Sequence, residues 1–272
     1  MTDFKTPWAL IGAGEIGGVL AHGLLKTGHP VYPINRGHDI EQTLQQHRDF
    51  AGVLIAVGEK DLADVLAQIP RHYFDRIALI QNELLPGDWR KYGIETPTVA
   101  SIWFEKKPGK PVKPLISSPV HGPLAADLVD AMQALDIPAH RVTDSHSMLE
   151  ELVIKNVYIL TTNIAGLETR GDVKDLWENH QDLARNIAAD VIKLQQAKTG
   201  VQFEHEKLIA GMKKGFDGDP QHQCMGRSAP QRLERVLAQA KELGVDIPTC
   251  LLYTSDAADD LLCVDLGGRR II

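Results

Sequence analysis

Gly12, Gly14 and Gly17 form a Gly-x-Gly-x-x-Gly pattern inside the stretch Pro7 to Leu24. Glycines at this spacing can cradle a diphosphate. The first permits a tight turn, the second lets backbone approach a pyrophosphate with no Cβ between them, and the third lets a helix lie close on the preceding strand. The residues brought to the phosphates are Gly12, Ala13, Gly14, Glu15, Ile16 and Gly17. Their fitness for this follows from the first N–H groups of a helix, which lack intrahelical partners and stand at the positive end of its dipole. Further on, Asn35 and Arg36 occupy the place where an acid would bind the ribose 2′-hydroxyl of NAD, and no acid precedes Asp39. An arginine there suits the 2′-phosphate of NADP, so NADP is the expected cofactor.

Such residues need a strand, a turn and a helix in that order. Trp8 to Ile11 reads as a short buried strand, and Val19, Leu20, Leu24 and Leu25 recur at helical spacing. Further strands are predicted over 31–34, 50–57, 76–80, 98–104, 115–120 and 140–142, with helices over 61–69 and 123–135. The stretch 105–114, with Lys106, Lys107, Lys110 and Lys113 among prolines, reads as a solvated basic loop. Strands alternating with helices indicate an α/β fold, a Rossmann-type doubly wound and mainly parallel sheet. From Ser147 onward the pattern turns helical, with helices predicted over 148–167, 173–198, 204–212 and 230–243. The expected domains are 1–145, binding NADP, and 146–249, an all-helical domain for substrate and dimerisation.

The composition, 43% hydrophobic and 24% charged with a net charge of −7 over 272 residues, is that of an ordinary globular protein. No apolar run approaches the ~20 residues of a membrane span, and no signal peptide is visible. A cytoplasmic enzyme without membrane or nucleic-acid partners is expected. Residues 250–272 read differently. CLLYTSDAADD and CVDLGGRRII match the translation of a transposase-type sequencing-library adapter, with Leu261 and Leu262 where an index would lie. This segment is expected to be non-native and is set aside. Outside it Cys224 is the remaining cysteine, in keeping with a reducing compartment. His222-x-Cys224 lacks zinc spacing, so no metal is expected.

The chain resembles the ketopantoate reductases and, more distantly, the 6-phosphogluconate and β-hydroxyacid dehydrogenases, over residues 7 to about 249. The resemblance rests on the glycine pattern, on Asn35-Arg36, on Ile80-Gln81-Asn82 after a strand, and on Gly244-Val245-Asp246-Ile247-Pro248-Thr249 after the last helix. It implies that Asn82 helps to hold cofactor and substrate. Glu83 stands where the family's Gln-Asn-Gly has glycine. The family's catalytic lysine lies on the first helix of the second domain as Lys-Leu-x-x-Asn. Here the matching run is Glu151-Leu152-Val153-Ile154-Lys155. Either Glu151 takes the lysine position and Lys155 that of the asparagine, or Lys155 does the lysine's work from one turn further on. Glu151, Lys155, Thr162 and Asn163 share a broad face of an otherwise apolar helix.

The family's substrate-binding glutamate corresponds to Ser228, which also reads as a helix N-cap before Pro230. Arg227 could meet a carboxylate bidentately. The resemblance thus implies Lys155 and Glu151 as catalytic residues, and Asn82, Asn163, Arg227 and Ser228 as substrate-binding residues. The expected reaction is NADPH-dependent reduction of a small oxo-carboxylic acid, first of all 2-dehydropantoate to pantoate. Its carbonyl would be held between the two domains, and Lys155 would donate the proton. A homodimer is expected. The alternatives are a β-hydroxyacid-type dehydrogenase and a non-catalytic NADP-binding redox sensor.

Overall fold

The computed structural model describes residues 5–46 and 49–252. The first part of the chain runs through β1 (Trp8–Ile11), α1 (Glu15–Lys26), β2 (Val31–Ile34), α2 (Ile40–Gln46), β3 (Gly52–Ile55), α3 (Leu62–Leu66) and β4 (Ile77–Leu79). It continues through α4 (Pro86–Arg90), β5 (Thr98–Ala100), β6 (Phe104–Glu105), β7 (Lys113–Pro114), β8 (Ser118–His121), α5 (Ala125–Gln133) and β9 (Ala139–Arg141). Among the described residues seven strands form one sheet in the order β2-β1-β3-β4-β5-β8-β9. All neighbours are parallel except β5 and β8, which are antiparallel.

The inner strands β1, β3 and β4 are apolar along their whole length because both faces are covered. Successive side chains alternate between two cores. Ala9, Ile11, Val53, Ile55, Ile77 and Leu79 join one, with Leu44, Leu62 and Leu66. Trp8, Leu10, Leu54 and Ala78 join the other, with Leu20, Leu24 of α1 and Leu128, Met132 of α5. β2, with Pro33 and the half-exposed Tyr32, is an edge strand. The progression of strands reverses at β1, which lies between β2 and β3. That reversal opens a crevice beyond the C-terminal ends of these strands.

Two sequence expectations are corrected in this part. The segment 105–114 is not a plain loop, since Phe104–Glu105 and Lys113–Pro114 pair as a small antiparallel hairpin. The apolar run over 98–104 is not one strand either; β5 ends at Ala100, and the chain re-enters a sheet at Phe104 in the hairpin.

The helical part comprises α6 (Ser145–Thr169), α7 (Val173–Asn179), α8 (Gln181–Thr199), α9 (His205–Gly218) and α10 (Ala229–Leu243). Two compact units divide after Asn156, inside α6, whereas the sequence reading put its boundary where this helix begins. Met148 and Leu152 of its first turns belong to the core of the first unit. The helix expected over 173–198 is two helices, broken at His180 (φ −133°), where Asn179 and His180 are both weak helix formers. Leu176, Ile187, Val191, Leu194, Leu208, Met212, Phe216 and Val236 are buried in the second unit. Asp190, itself buried, accepts N–H groups of Thr249 (2.7 Å) and Cys250 (3.1 Å).

Of the segment expected to be non-native, Cys250 is buried and Leu251 and Leu252 are exposed, while 253–272 lie outside the described residues. No described helix is long and apolar enough to cross a membrane.

Candidate functional site

The glycine turn between β1 and α1 is fixed by close backbone contacts. Gly12 has φ +98°, and a Cβ there would lie 2.7 Å from the Ala56 carbonyl oxygen. A Cβ on Gly17 would lie 2.2 Å from the Gly12 carbonyl oxygen. Gly14 is the opposite case, since a Cβ there would meet nothing within 4 Å. It precedes α1 with no side-chain cap on the helix. Gly12 and Gly17 therefore serve the fold, whereas Gly14 faces open space.

That space belongs to a cavity of about 800 Å³. Gly12, Ala13, Gly14, Asn35 and Arg36 line it, together with Ala56 and Asp61. Glu15, Ile16 and Gly17 form the first turn of α1 beside it. Residues singled out on two separate strand ends thus share one cavity, which lies beside the N-terminus of α1 and the Arg36 guanidinium. Arg36 is fully extended into solvent, with its guanidinium 3.9 Å from Asp61. No acid stands at the end of β2, but Asp61 arrives beside Arg36 from the turn before α3, a pairing that nothing in the local sequence signals.

Asn82 follows Gln81 at the C-terminal end of β4. Gln81 is buried and donates to the carbonyls of Ile55 (2.7 Å) and Val57 (3.3 Å), tying the ends of β3 and β4 together. Glu83 has φ +59°. A non-glycine residue in this left-handed region is strained, which gives the expected glycine of Gln-Asn-Gly its physical reason. Glu83→Gly should raise stability by roughly 1 kcal/mol, read from urea denaturation. A loss of stability would mean that the glutamate side chain makes contacts worth more than the strain.

Beyond β5 the chain presents Ser101 and Trp103. Ser101 is buried, and its hydroxyl has no hydrogen-bond partner among the described residues. Trp103 is fully buried, and its backbone N–H donates to Ser118 Oγ (2.9 Å). Lys155 Nζ stands 4.0 Å from the centre of the Trp103 ring, well within cation–π range. Glu151 and Lys155 are half-buried one turn apart on α6, while Leu152, Val153 and Ile154 between them are buried. No pattern in the sequence links Trp103 to Lys155.

In the second unit Asn163 is buried and donates to the Ile159 carbonyl (2.8 Å). Its side-chain oxygen accepts from the Gly226 N–H (3.4 Å) and from Arg232 (3.3 Å). Asn163 therefore meets the loop that carries Arg227 and Ser228, both exposed. Ser228 occupies the N-cap position of α10, but its side chain makes no capping bond, contrary to the capping role expected of it. Arg232, half-buried beside Asn163, was not anticipated. Thr162 satisfies its hydroxyl on the Tyr158 carbonyl (2.8 Å) within α6, as polar residues in helices commonly do.

Cys224 is unsuited to nucleophilic chemistry. Burial first, and then the charges of Asp172 and Asp175, push its thiol up to about 12. The Cys250 thiol is likewise pushed up to about 12 by burial and by Asp190. Among the described residues no group of three or more His, Cys, Asp or Glu side chains is placed to hold a metal ion.

No family model and no curated protein matches the chain. Solved structures do. A ketopantoate reductase from Ralstonia eutropha JMP134 has 15% identity and a TM-score of 0.65, with 93% of this chain and 97% of that one covered. The dimeric ketopantoate reductase from Staphylococcus aureus has 18% identity and a TM-score of 0.63, with 93% and 98% covered. A D-mandelate dehydrogenase in complex with NADH has 15% identity and a TM-score of 0.65, with 94% and 99% covered. Over more than nine-tenths of its length this chain thus shares its fold with ketopantoate reductases and with a D-mandelate dehydrogenase.

Proposed function

We propose that the protein is a nicotinamide-dependent reductase of a small oxo-carboxylic acid. The observation that carries this reading is the cradle of Gly12, Gly14 and Gly17, open at Gly14 onto the cavity that Asn35 and Arg36 line. The fold is shared with reductases and a dehydrogenase acting on 2-oxo or 2-hydroxy acids, as their names say. A dinucleotide fits these residues. The diphosphate would lie on the first turn of α1, and the ribose would lie toward Asn35 and Arg36. When bound, the reduced nicotinamide supplies hydride. Asn82, at the end of β4, is proposed to orient cofactor and substrate. Lys155 is proposed to donate a proton to the carbonyl oxygen, with Glu151 as its partner one turn away. In the second unit Asn163, Arg227 and Ser228 are proposed substrate contacts, joined by Arg232 as a cation for the carboxylate.

The first substrate to test is 2-dehydropantoate. Oxidation of NADPH and of NADH should be followed spectrophotometrically with a panel of 2-oxo and 3-oxo acids. Turnover of one of them is expected, whereas dinucleotide binding without turnover across the panel would favour the redox-sensor alternative. A homodimer is proposed, as the Staphylococcus aureus reductase is described as dimeric.

NADP is the proposed cofactor, on the strength of Arg36. The neighbouring carboxylate of Asp61, at 3.9 Å, opposes a 2′-phosphate. Arg36→Ala should weaken NADPH about tenfold, the scale of one charge-assisted contact, and leave NADH unchanged. Asp61→Asn should shift the preference further toward NADPH. Equal responses of both dinucleotides in fluorescence titration would remove Arg36 from the argument.

A further inference from the structure

Lys106 and Glu15 form an ion pair of 2.9 Å between the β6–β7 hairpin and the first residue of α1. The sequence predicts a solvated loop around Lys106. Its side chain is only 21% exposed, and its ammonium also donates to the Lys107 carbonyl (2.9 Å). Lys107 and Lys110 of the same segment are exposed. Lys106 is thus drawn inward, to the helix end that follows Gly14.

Glu15 at that place presents a problem. A carboxylate in the first turn suits the helix dipole as long as nothing else is bound there. A diphosphate would use the same helix end, and two anions would then compete for one positive pole. Lys106 resolves the conflict by neutralising Glu15. An ammonium has three N–H donors. Glu15 and the Lys107 carbonyl take two of them, which leaves the third for a phosphate oxygen.

We propose that Lys106 is a diphosphate-binding residue of this site, presented by the β6–β7 hairpin and oriented by Glu15. The proposal rests on the dinucleotide reading of the glycine turn and adds a residue from a segment distant in sequence. Glu15 acts here as a positioning residue and has no direct part in holding the phosphates. The site therefore recognises the diphosphate by one side-chain cation as well as by backbone N–H groups.

The test is fluorescence titration of the full chain with NADPH, alongside competition by adenosine 2′-monophosphate, which has the adenosine end but no diphosphate. Lys106→Gln should weaken NADPH about tenfold or more and flatten its dependence on salt concentration, while adenosine 2′-monophosphate binds as before. Glu15→Gln keeps an oxygen that accepts from the Lys106 ammonium but removes the competing charge, so it should bind NADPH at least as well as the native protein, whereas Glu15→Ala, which frees Lys106, should bind it more weakly than Glu15→Gln. The double variant should bind it better than Lys106→Gln alone, because the uncompensated carboxylate is gone. Unchanged NADPH affinity in Lys106→Gln would overturn the proposal. An equal loss for both ligands would overturn it too, since the hairpin would then be supporting the fold rather than the diphosphate. If the native protein binds neither NADPH nor NADH, the dinucleotide reading itself falls and takes the proposal with it.

Discussion

Lys155→Ala is expected to lower turnover of the substrate by ~10²–10⁴-fold, the usual scale for losing a general acid. NADPH affinity should change little, because the proposed cofactor contacts lie on the glycine turn and at the end of β2. The chemistry asks for this residue type. Hydride transfer to a ketone leaves an alkoxide, which needs a proton as it forms. Lys155 is the cation that α6 carries close to β5, over the Trp103 ring at 4.0 Å. Met148 and Leu152 fix these first turns of α6 in the core of the first unit, which holds the backbone that carries the lysine. Trp103 should matter in turn. Trp103→Phe keeps a ring beneath the ammonium and should retain more turnover than Trp103→Leu, which removes the cation–π contact. Lys155→Arg should restore little, because a guanidinium remains protonated and cannot give up its proton. Steady-state rates for the four variants decide the matter. Near-native turnover in Lys155→Ala would make Lys155 a structural partner of Glu151 and send the search for the proton donor elsewhere.

The glycine turn and its sheet were largely legible because local chain chemistry dictates them. Gly12 and Gly14 follow an apolar strand, Gly17 lies in the first turn of the amphipathic helix after it, and each of these signals lies within a few residues of the next. Alternation of strands and helices likewise announced the parallel sheet. What escaped was set by long-range packing. Asp61 reaches Arg36 across the crevice from another strand's end, and Lys106 reaches Glu15 from a hairpin. The hairpin itself is two residues deep on each side, too short for a period-2 pattern to register. Trp103 reads as one more apolar residue, and only the fold brings the Lys155 ammonium onto it. On α6 the polar residues were conspicuous against their apolar neighbours, yet spacing alone could not separate the internally satisfied Thr162 from Asn163, which reaches the Gly226 loop.

Gly17→Ala is expected to abolish dinucleotide binding and to destabilise the first unit, whereas Gly14→Ala should abolish binding and leave stability nearly unchanged. The two glycines lie in the same turn, but their missing Cβ atoms face different things. At Gly17 the new methyl would stand 2.2 Å from the Gly12 carbonyl oxygen and 3.1 Å from Ala56 Cβ. Neither backbone nor strand can yield there without moving α1 off the sheet, and overpacking of this kind costs about 1–3 kcal/mol or more. A displaced α1 also withdraws its N–H groups from the phosphates. At Gly14 the methyl meets nothing within 4 Å, and φ −80° suits alanine. Its cost appears only when a diphosphate comes to lie where the methyl projects. Gly18→Ala supplies the control on the same helix. It is exposed and its Cβ also meets nothing, so relief of glycine's chain entropy should stabilise the protein by roughly 0.5–1 kcal/mol. Urea denaturation and NADPH titration of the three variants should therefore give three different pairs of outcomes. Native affinity in Gly14→Ala would show that no ligand approaches that backbone, and the phosphate cradle would have to be given up.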